Sequence, residues 1–196
     1  MTSDFLVIGS GVAGLSFAIK AAEHGSVTLI TKNDALNSNT AWAQGGISAV
    51  LPDGLCDRND SIEKHVDDTL DAGAGLCNEK SVRTIIGEGA QTIEELVSWG
   101  ATFDREGKRY SLGREGGHSE RRILHAKDTT GHEIASSLLE TARNTPRLTI
   151  LADHIAIELI TTGKLGSVTD DRVLGAYALE KETGEVRVLR SNRVVL

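Results

Sequence analysis

Six residues near the start of the chain, Gly9-Ser10-Gly11-Val12-Ala13-Gly14, restrict its fold more than any other segment. They follow an apolar run, Phe5-Leu6-Val7-Ile8, of the kind found in a strand buried on both faces. After them Leu15, Ala18, Ile19 and Ala22 recur at helical spacing as far as Gly25. Val27 to Thr31 is rich in β-branched residues and reads as a second strand. In such a strand–turn–helix–strand unit each glycine has its own task. Gly9 permits the tight turn, Gly11 lets a pyrophosphate approach the backbone, and Gly14 lets the helix pack close to the strand. The helix N-terminus adds positive potential for phosphates. In this context all six residues, Gly9 through Gly14, are candidate dinucleotide contacts.

The end of the second strand is unusual. An acidic residue that binds the adenosine ribose is the common occupant, and this chain has Lys32. A cation there admits two readings, a 2′-phosphate site for NADP or an FAD site organised differently. Residues 33–58 follow without periodicity, which marks a functional or disordered loop. Within them the run Asn39-Thr40-Ala41-Trp42-Ala43-Gln44-Gly45-Gly46 carries hydroxyls and amides and ends on two glycines. Its backbone N–H groups could line the edge of a flavin ring. Trp42 and the run Ile47 to Val50 are apolar enough to be expected out of water.

Farther on, Asp60 with Glu63 reads as a capping-box start, and Ile62, Val66 and Leu70 form one helical face. A second helical stretch over 79–99 is expected to break at Gly87 and Gly89. Residues 101–129 are charged and aperiodic. Thr130 with Glu133 marks another capping box. Residues 148–151 read as a strand, and 155–160, 173–179 and 186–189 as an antiparallel meander. Arg193 to Leu196 begins what reads as one more strand, so the chain is expected to be truncated mid-strand. The fold expected is α/β: a Rossmann-like nucleotide-binding domain with a parallel sheet and an antiparallel β-meander, plus the start of a helical and loop substrate-capping region. Residues 1–50 would form its first part. Residues 51–196 would form the remainder, with a substrate-side loop at 101–129 and the meander at 155–190.

Composition narrows the partners. Lys and Arg total 21 against 28 Asp and Glu, a net charge of −7, which disfavours nucleic acid and anionic membranes. The uncharged run from Phe5 to Ile19 is shorter than the roughly 20 residues that a bilayer span needs. No basic segment precedes it, so no secretory signal is expected. Cys56 and Cys77 form no disulfide framework, which points to a reducing, cytoplasmic setting.

Together these segments carry a resemblance over the whole chain. It rests on Gly9 to Gly14, Ile30-Thr31-Lys32, Thr40 to Gly46, and Asp67-Asp68-Thr69-Leu70 running into Ala72-Gly73-Ala74-Gly75. It is strongest at Arg114-Glu115-Gly116-Gly117-His118-Ser119, and continues through Arg121-Arg122-Ile123-Leu124-His125-Ala126, Asp128 and Thr130-Gly131. The pattern resembles the succinate dehydrogenase/fumarate reductase flavoprotein family and, within it, the branch of L-aspartate oxidases. The resemblance implies FAD, and in this family a lysine in the place of Lys32 is usual. It implies flavin contacts at Ser10, Gly11, Val12, Ala13, Lys32 and Asn39 to Gly46, with a backbone contact near the adenine from Ile155 or Ala156.

Two departures give the position within that family. Members that tether FAD covalently do so through a histidine where this chain has Asn39, so FAD is expected to be non-covalent. Glu115 stands where dehydrogenase-like relatives are uncharged. A carboxylate there would orient the α-ammonium of L-aspartate and repel a bare dicarboxylate. The implied reaction takes L-aspartate to iminoaspartate, with oxygen or fumarate as acceptor, in de novo NAD biosynthesis through quinolinate. The resemblance places the proton-transferring arginine and substrate histidines beyond Leu196, so no catalytic acid or base is assigned here. The alternatives are a soluble fumarate reductase or succinate dehydrogenase flavoprotein, and a non-catalytic FAD-binding module.

The remaining histidines and arginines carry no metal-site pattern. His118, His125 and His132 lack zinc-site spacing, and no metal is expected; His118 and His125 read as substrate-loop or structural hydrogen-bonders. His24 and His65 are expected to be exposed on helices. Arg114, Arg121 and Arg122 are a candidate anion site for a substrate carboxylate.

Overall fold

Apolar strand residues that lack polar alternation must be covered on both faces, and the centre of the protein is built this way. A computed structural model describes residues 1–55, 59–166 and 171–196. Cys56 lies outside the described residues, and Cys77 is a half-buried free thiol. The first elements are β1 (Thr2–Ile8), α1 (Val12–Ala21), β2 (Val27–Ile30), the one-turn α2 (Asn39–Trp42) and β3 (Ile47–Ser48). Three helices follow, α3 (Ile62–Ala72), α4 (Glu79–Gly87) and α5 (Gly89–Ser98). The short strands β4 (Arg105–Glu106), β5 (Arg109–Tyr110), β6 (Leu112–Gly113) and β7 (Ile123–Leu124) come next. The chain then forms α6 (Thr130–Asn144), β8 (Leu148–Leu151), β9 (His154–Thr161), β10 (Val173–Glu180) and β11 (Val186–Val195). These elements divide into two units, Met1–Ala41 with Ala135–Leu196, and Trp42–Ile134.

The first unit holds a six-stranded sheet in the order β8-β2-β1-β11-β10-β9. The pairs β8–β2, β2–β1 and β1–β11 are parallel, and β11–β10 and β10–β9 are antiparallel. Every residue of β2 is buried. Leu15, Ala18 and Ile19 of α1 are buried as well. Leu6, Ile30, Ala176, Ala178 and Leu189 form a core cluster that joins the parallel strands to the meander. Burying five such side chains contributes on the order of 1–3 kcal/mol each for the larger ones.

The final strand departs from the sequence reading. Arg193 to Val195 is no separate strand; it is the end of the ten-residue β11 and pairs with Phe5, Leu6 and Val7 of β1. The sequence reading ends one strand at residue 189 and begins another at Arg193, leaving Arg190-Ser191-Asn192 between them. Ser191 is buried there instead, and its hydroxyl lies 3.1 Å from Asp4 O and 2.7 Å from Arg193 O. That satisfies the polar group, so the strand continues.

The second unit is helical with small sheets: β3–β7–β6 and the hairpin β4–β5. The expected interruption of the long helix separates α4 from α5 at Glu88. Four local expectations are corrected. The N-cap of α3 is Ser61, whose hydroxyl accepts from Lys64 N at 3.2 Å, because the Asp60 carboxylate is engaged by Arg122. Thr130 and Glu133 form no capping box. Thr130 lies within α6 and accepts from Ala126 N, while Glu133 accepts from Thr102 N at 2.9 Å and from its hydroxyl at 2.6 Å. Trp42 is 74% exposed. His65 is buried, in contrast to His24, because the α3 face that carries it also carries Val66 into the core.

Candidate nucleotide groove and carboxylate loop

The carboxyl ends of parallel strands are where open α/β sheets place ligands, at the point where neighbouring connections diverge. In the first unit that point is the end of β1, flanked by β2 and β11. A groove of about 450 Å³ opens there. Its floor is formed by Ile8, Gly9, Ser10 and Gly11 with Ile30, Thr31 and Lys32. Asn39 and Thr40 of α2 and Ile155 and Ala156 of β9 also line it. Eight of the residues singled out from the sequence, Gly9, Ser10, Gly11, Lys32, Asn39, Thr40, Ile155 and Ala156, thus surround one cavity.

The glycine turn is held in a single conformation. Gly9 has φ +118°, and its N–H donates to Ile30 O at 2.9 Å. A Cβ on Gly14 would fall within 3.0 Å of Gly9 O, so only glycine lets α1 start this close to the turn. Val12 and Ala13 sit in the exposed first turn of α1, beside the groove lining. That turn has no acidic residue, and its N-cap residue Gly11 offers no side chain to cap it. Val12 N donates to Thr40 Oγ1 at 3.0 Å, which ties α2 to the start of α1. The buried Ser10 hydroxyl donates to Thr31 Oγ1 at 3.0 Å. An anion at this helix terminus meets N–H dipoles and no competing carboxylate.

Lys32 is exposed, and its carbonyl accepts from Lys181 Nζ at 3.1 Å. Sequence reasoning missed Thr31 and His154 as groove residues. Thr31 follows directly on β2, so the strand assignment was signal enough. His154 had no signal, since β9 reaches the groove only through tertiary pairing. Its Nδ1 lies 2.6 Å from Ala152 O, and its buried Nε2, 3.9 Å from Glu180 Oε1, has no hydrogen-bond partner among the described residues.

In the second unit Ala43, Gln44 and Gly45 are exposed, and Ala41, in the first unit, is half-buried. Gly46 N donates to Glu115 Oε1 at 3.4 Å, so the exposed Glu115 carboxylate sits over the glycine pair. A Cβ on Gly46 would overlap Ile123 and Leu124 O. The loop carrying Glu115 closes on itself. Arg114 Nε donates to His118 O at 2.9 Å, His118 N donates to Glu115 O at 3.3 Å, and Gly117 has φ +83°.

Arg122 is no surface anion site. It is fully buried, with Asp60 across its Nε–Nη2 edge at 3.0 and 2.7 Å and Asp68 on Nη1 at 2.5 Å. Two carboxylates neutralise it, so it has nothing left for a substrate anion. Burial opposes the Arg122 charge, but its hydrogen bonds to Asp60 and Asp68 raise its pKa further. Burial also pushes the Asp68 carboxyl up. The hydrogen bonds from Ser119 N, Arg122 and the Ser119 hydroxyl outweigh that and bring it to about 2. His65 is pushed down by burial and by the Arg122 charge. Arg114 and Arg121 remain exposed.

A family model described as FAD binding domain matches residues 4–196. The chain belongs to that family. It is 44% identical over 199 residues to L-aspartate oxidase 1 of Ralstonia nicotianae, an alignment covering 100% of this chain and 36% of the relative. It is 50% identical over 160 residues to the chloroplastic L-aspartate oxidase of Arabidopsis thaliana, covering 81% of this chain and 24% of that one. Its fold matches a variant of E. coli quinol fumarate reductase FrdA at TM-score 0.88, with 28% identity over 99% of this chain and 32% of that chain. The Mycobacterium smegmatis Sdh1 complex matches at TM-score 0.87 and 27% identity, over 98% of this chain and 33% of that chain. The chain spans about a third of the length of the bacterial relatives named here. The family's cofactor is FAD. The groove meets its needs, with a glycine turn packed so closely at Gly14 that a Cβ is excluded, a helix start free of carboxylates and a strand-end lysine. No helix among the described residues is long and apolar enough to cross a membrane.

Proposed function

We propose that this chain is the cofactor-binding part of an FAD enzyme that oxidises L-aspartate to iminoaspartate, with oxygen or fumarate as terminal acceptor. The observation that carries the reading is the Glu115 carboxylate, exposed and anchored to Gly46 N at 3.4 Å. An α-ammonium facing it gains a charge-assisted hydrogen bond, and a substrate without an ammonium gains nothing. FAD, when bound, supplies the redox chemistry by accepting two electrons and a proton from substrate.

Everything else falls to the protein. Gly9, Ser10, Gly11, Val12, Ala13 and Gly14 hold the pyrophosphate against the start of α1. Lys32 adds a cation, and Ile155 and Ala156 border the adenine. Asn39, Thr40, Ala41, Trp42, Ala43, Gln44, Gly45 and Gly46 are assigned to the flavin side by the same resemblance. A carboxamide at Asn39 offers no nucleophile for a flavin tether, so FAD is held non-covalently. Small molecules, L-aspartate and fumarate, are the ligands, and the cytoplasm is the setting.

The test is the full-length protein's flavin spectrum. Acid should release the yellow flavin, and anaerobic L-aspartate should bleach the native enzyme where succinate does not. Glu115→Gln should lower kcat/KM for L-aspartate by roughly 10–100-fold, the loss of one charge-assisted bond, and spare fumarate reduction. Unchanged aspartate kinetics would reduce Glu115 to a surface charge. Bleaching by succinate would favour the alternative reading, a soluble fumarate reductase or succinate dehydrogenase flavoprotein.

A further inference from the structure

The second unit contains a charged cluster that the flavin chemistry does not call for. Arg122 has 0% exposure and sits at the head of β7. Asp60 precedes α3 and Asp68 lies on it, so one guanidinium joins the strand to both the start and the middle of the helix. Burying three charges is tolerated only with close geometry and further hydrogen bonds. Those bonds go to the loop that carries Glu115. Asp68 Oδ2 accepts from both Ser119 N and Ser119 Oγ at 2.9 Å. Arg122 Nη1 also lies 3.3 Å from His118 Nδ1.

That last contact has a fixed direction. A guanidinium has donors and no acceptor, so His118 Nδ1 must supply the lone pair. His118 is therefore held as the tautomer protonated on Nε2. The neighbouring ring of His65, 5.5 Å away between centroids and tilted by 54°, closes the other side. His65 Nδ1 is buried without a hydrogen-bond partner among the described residues. The loop between these anchors is short and internally bonded from Arg114 to His118, so displacing Ser119 or His118 displaces Glu115.

We propose that Arg122 is a positioning residue: through His118 Nδ1 and through Asp68 and Ser119 it sets the Arg114–Ser119 loop, and with it the carboxylate that selects an ammonium-bearing substrate. The selectivity half of this rests on the L-aspartate reading above, and the tautomer half does not. Lysine at 122 would keep the charge that Asp60 and Asp68 require, but it lacks the planar fork that reaches three partners at once.

The holoenzyme, labelled with ¹⁵N-histidine, tests both halves. In the wild type, long-range ¹⁵N–¹H spectra should show His118 bare at Nδ1 and protonated at Nε2, the signal being assigned by its loss in His118→Gln. Arg122→Lys should turn that signal into a tautomer mixture. It should also raise KM for L-aspartate about tenfold with kcat changed less than about twofold, and leave KM for fumarate within about twofold. Should Arg122→Lys fail to fold, Ser119→Ala removes only the hydroxyl bond to Asp68. It should keep the tautomer and raise KM for L-aspartate by roughly two- to fivefold. A wild-type His118 protonated on Nδ1 would overturn the proposal. So would an Arg122→Lys enzyme with unchanged tautomer and unchanged aspartate KM, or one that loses aspartate and fumarate alike. A wild-type enzyme that ignores L-aspartate yet shows the Nε2–H tautomer would instead refute the substrate assignment and leave the anchor of the loop intact.

Discussion

Gly14→Ala sets two effects of opposite sign against each other. Alanine in a helix is favoured over glycine by about 1 kcal/mol. Against that, the new methyl would lie within 3.0 Å of Gly9 O, 3.1 Å from Gly9 C and 3.4 Å from Val7 Cγ1. The closest of these groups is backbone and cannot rotate away. Gly9 is itself pinned by φ +118° and by its bond to Ile30 O. The start of α1 must therefore lift off the sheet, and overpacking of this kind costs about 1–3 kcal/mol, more where the backbone resists. The overlap is with backbone, so the cost falls at the upper end of that range and the clash should win, with net destabilisation of about 1–2 kcal/mol. The same shift would displace the start of α1 that is proposed to hold the pyrophosphate, so FAD affinity should fall by about tenfold or more, equivalent to about 1.4 kcal/mol. Gly87→Ala is the control, since a Cβ on Gly87 meets nothing within 4 Å. It should stabilise by a few tenths to about 1 kcal/mol and leave FAD affinity alone. Urea unfolding and quenching of flavin fluorescence on titration read both quantities. A Gly14→Ala protein as stable as the wild type, with the same FAD affinity, would refute the close-packing reasoning.

Three further expectations concern the second unit. Asp60→Ala leaves Arg122 buried with Asp68 as its one remaining charged partner among the described residues, and should cost about 3–5 kcal/mol in urea unfolding; a loss under about 1 kcal/mol would mean the pair is dispensable. Asp68 has a folded pKa of about 2 against an ordinary 3.8, so its contribution is complete above about pH 4–5 and is lost as pH falls toward 2. The difference in stability between wild type and Asp68→Asn should therefore shrink by about 1–2 kcal/mol over that window, and a constant difference would contradict the assignment. Gly46→Ala would drive a methyl into Ile123 and Leu124 O, and should weaken FAD binding with only a partial loss of helical circular dichroism; unaltered flavin affinity would contradict it.

Local chemistry made the first half of the candidate nucleotide groove legible. The glycine spacing, the apolar run before it and the β-branched run after it are all short-range, and they place Gly9, Ser10, Gly11 and Lys32 around one groove without any long-range knowledge. The break between α4 and α5 at a glycine pair is of the same kind. What the sequence alone could not decide involves partners distant along the chain. Asp60 satisfies every local rule for an N-cap, yet a guanidinium 62 residues away claims it, and Ser61 caps α3 instead. Glu133 likewise serves Thr102, and no rule of spacing relates the two. Ser191 falls between two strands of the sequence reading, and β1 supplies the carbonyl of Asp4 for its hydroxyl within one continuous strand. Arg122 looked like its exposed neighbours because position in sequence carries no information about which of three arginines faces inward. Hydrophobic period and turn stereochemistry act over a few residues and can be read in order. Satisfying a buried charge is settled by whichever complementary group the folded chain brings within hydrogen-bond reach, and only the tertiary structure supplies that.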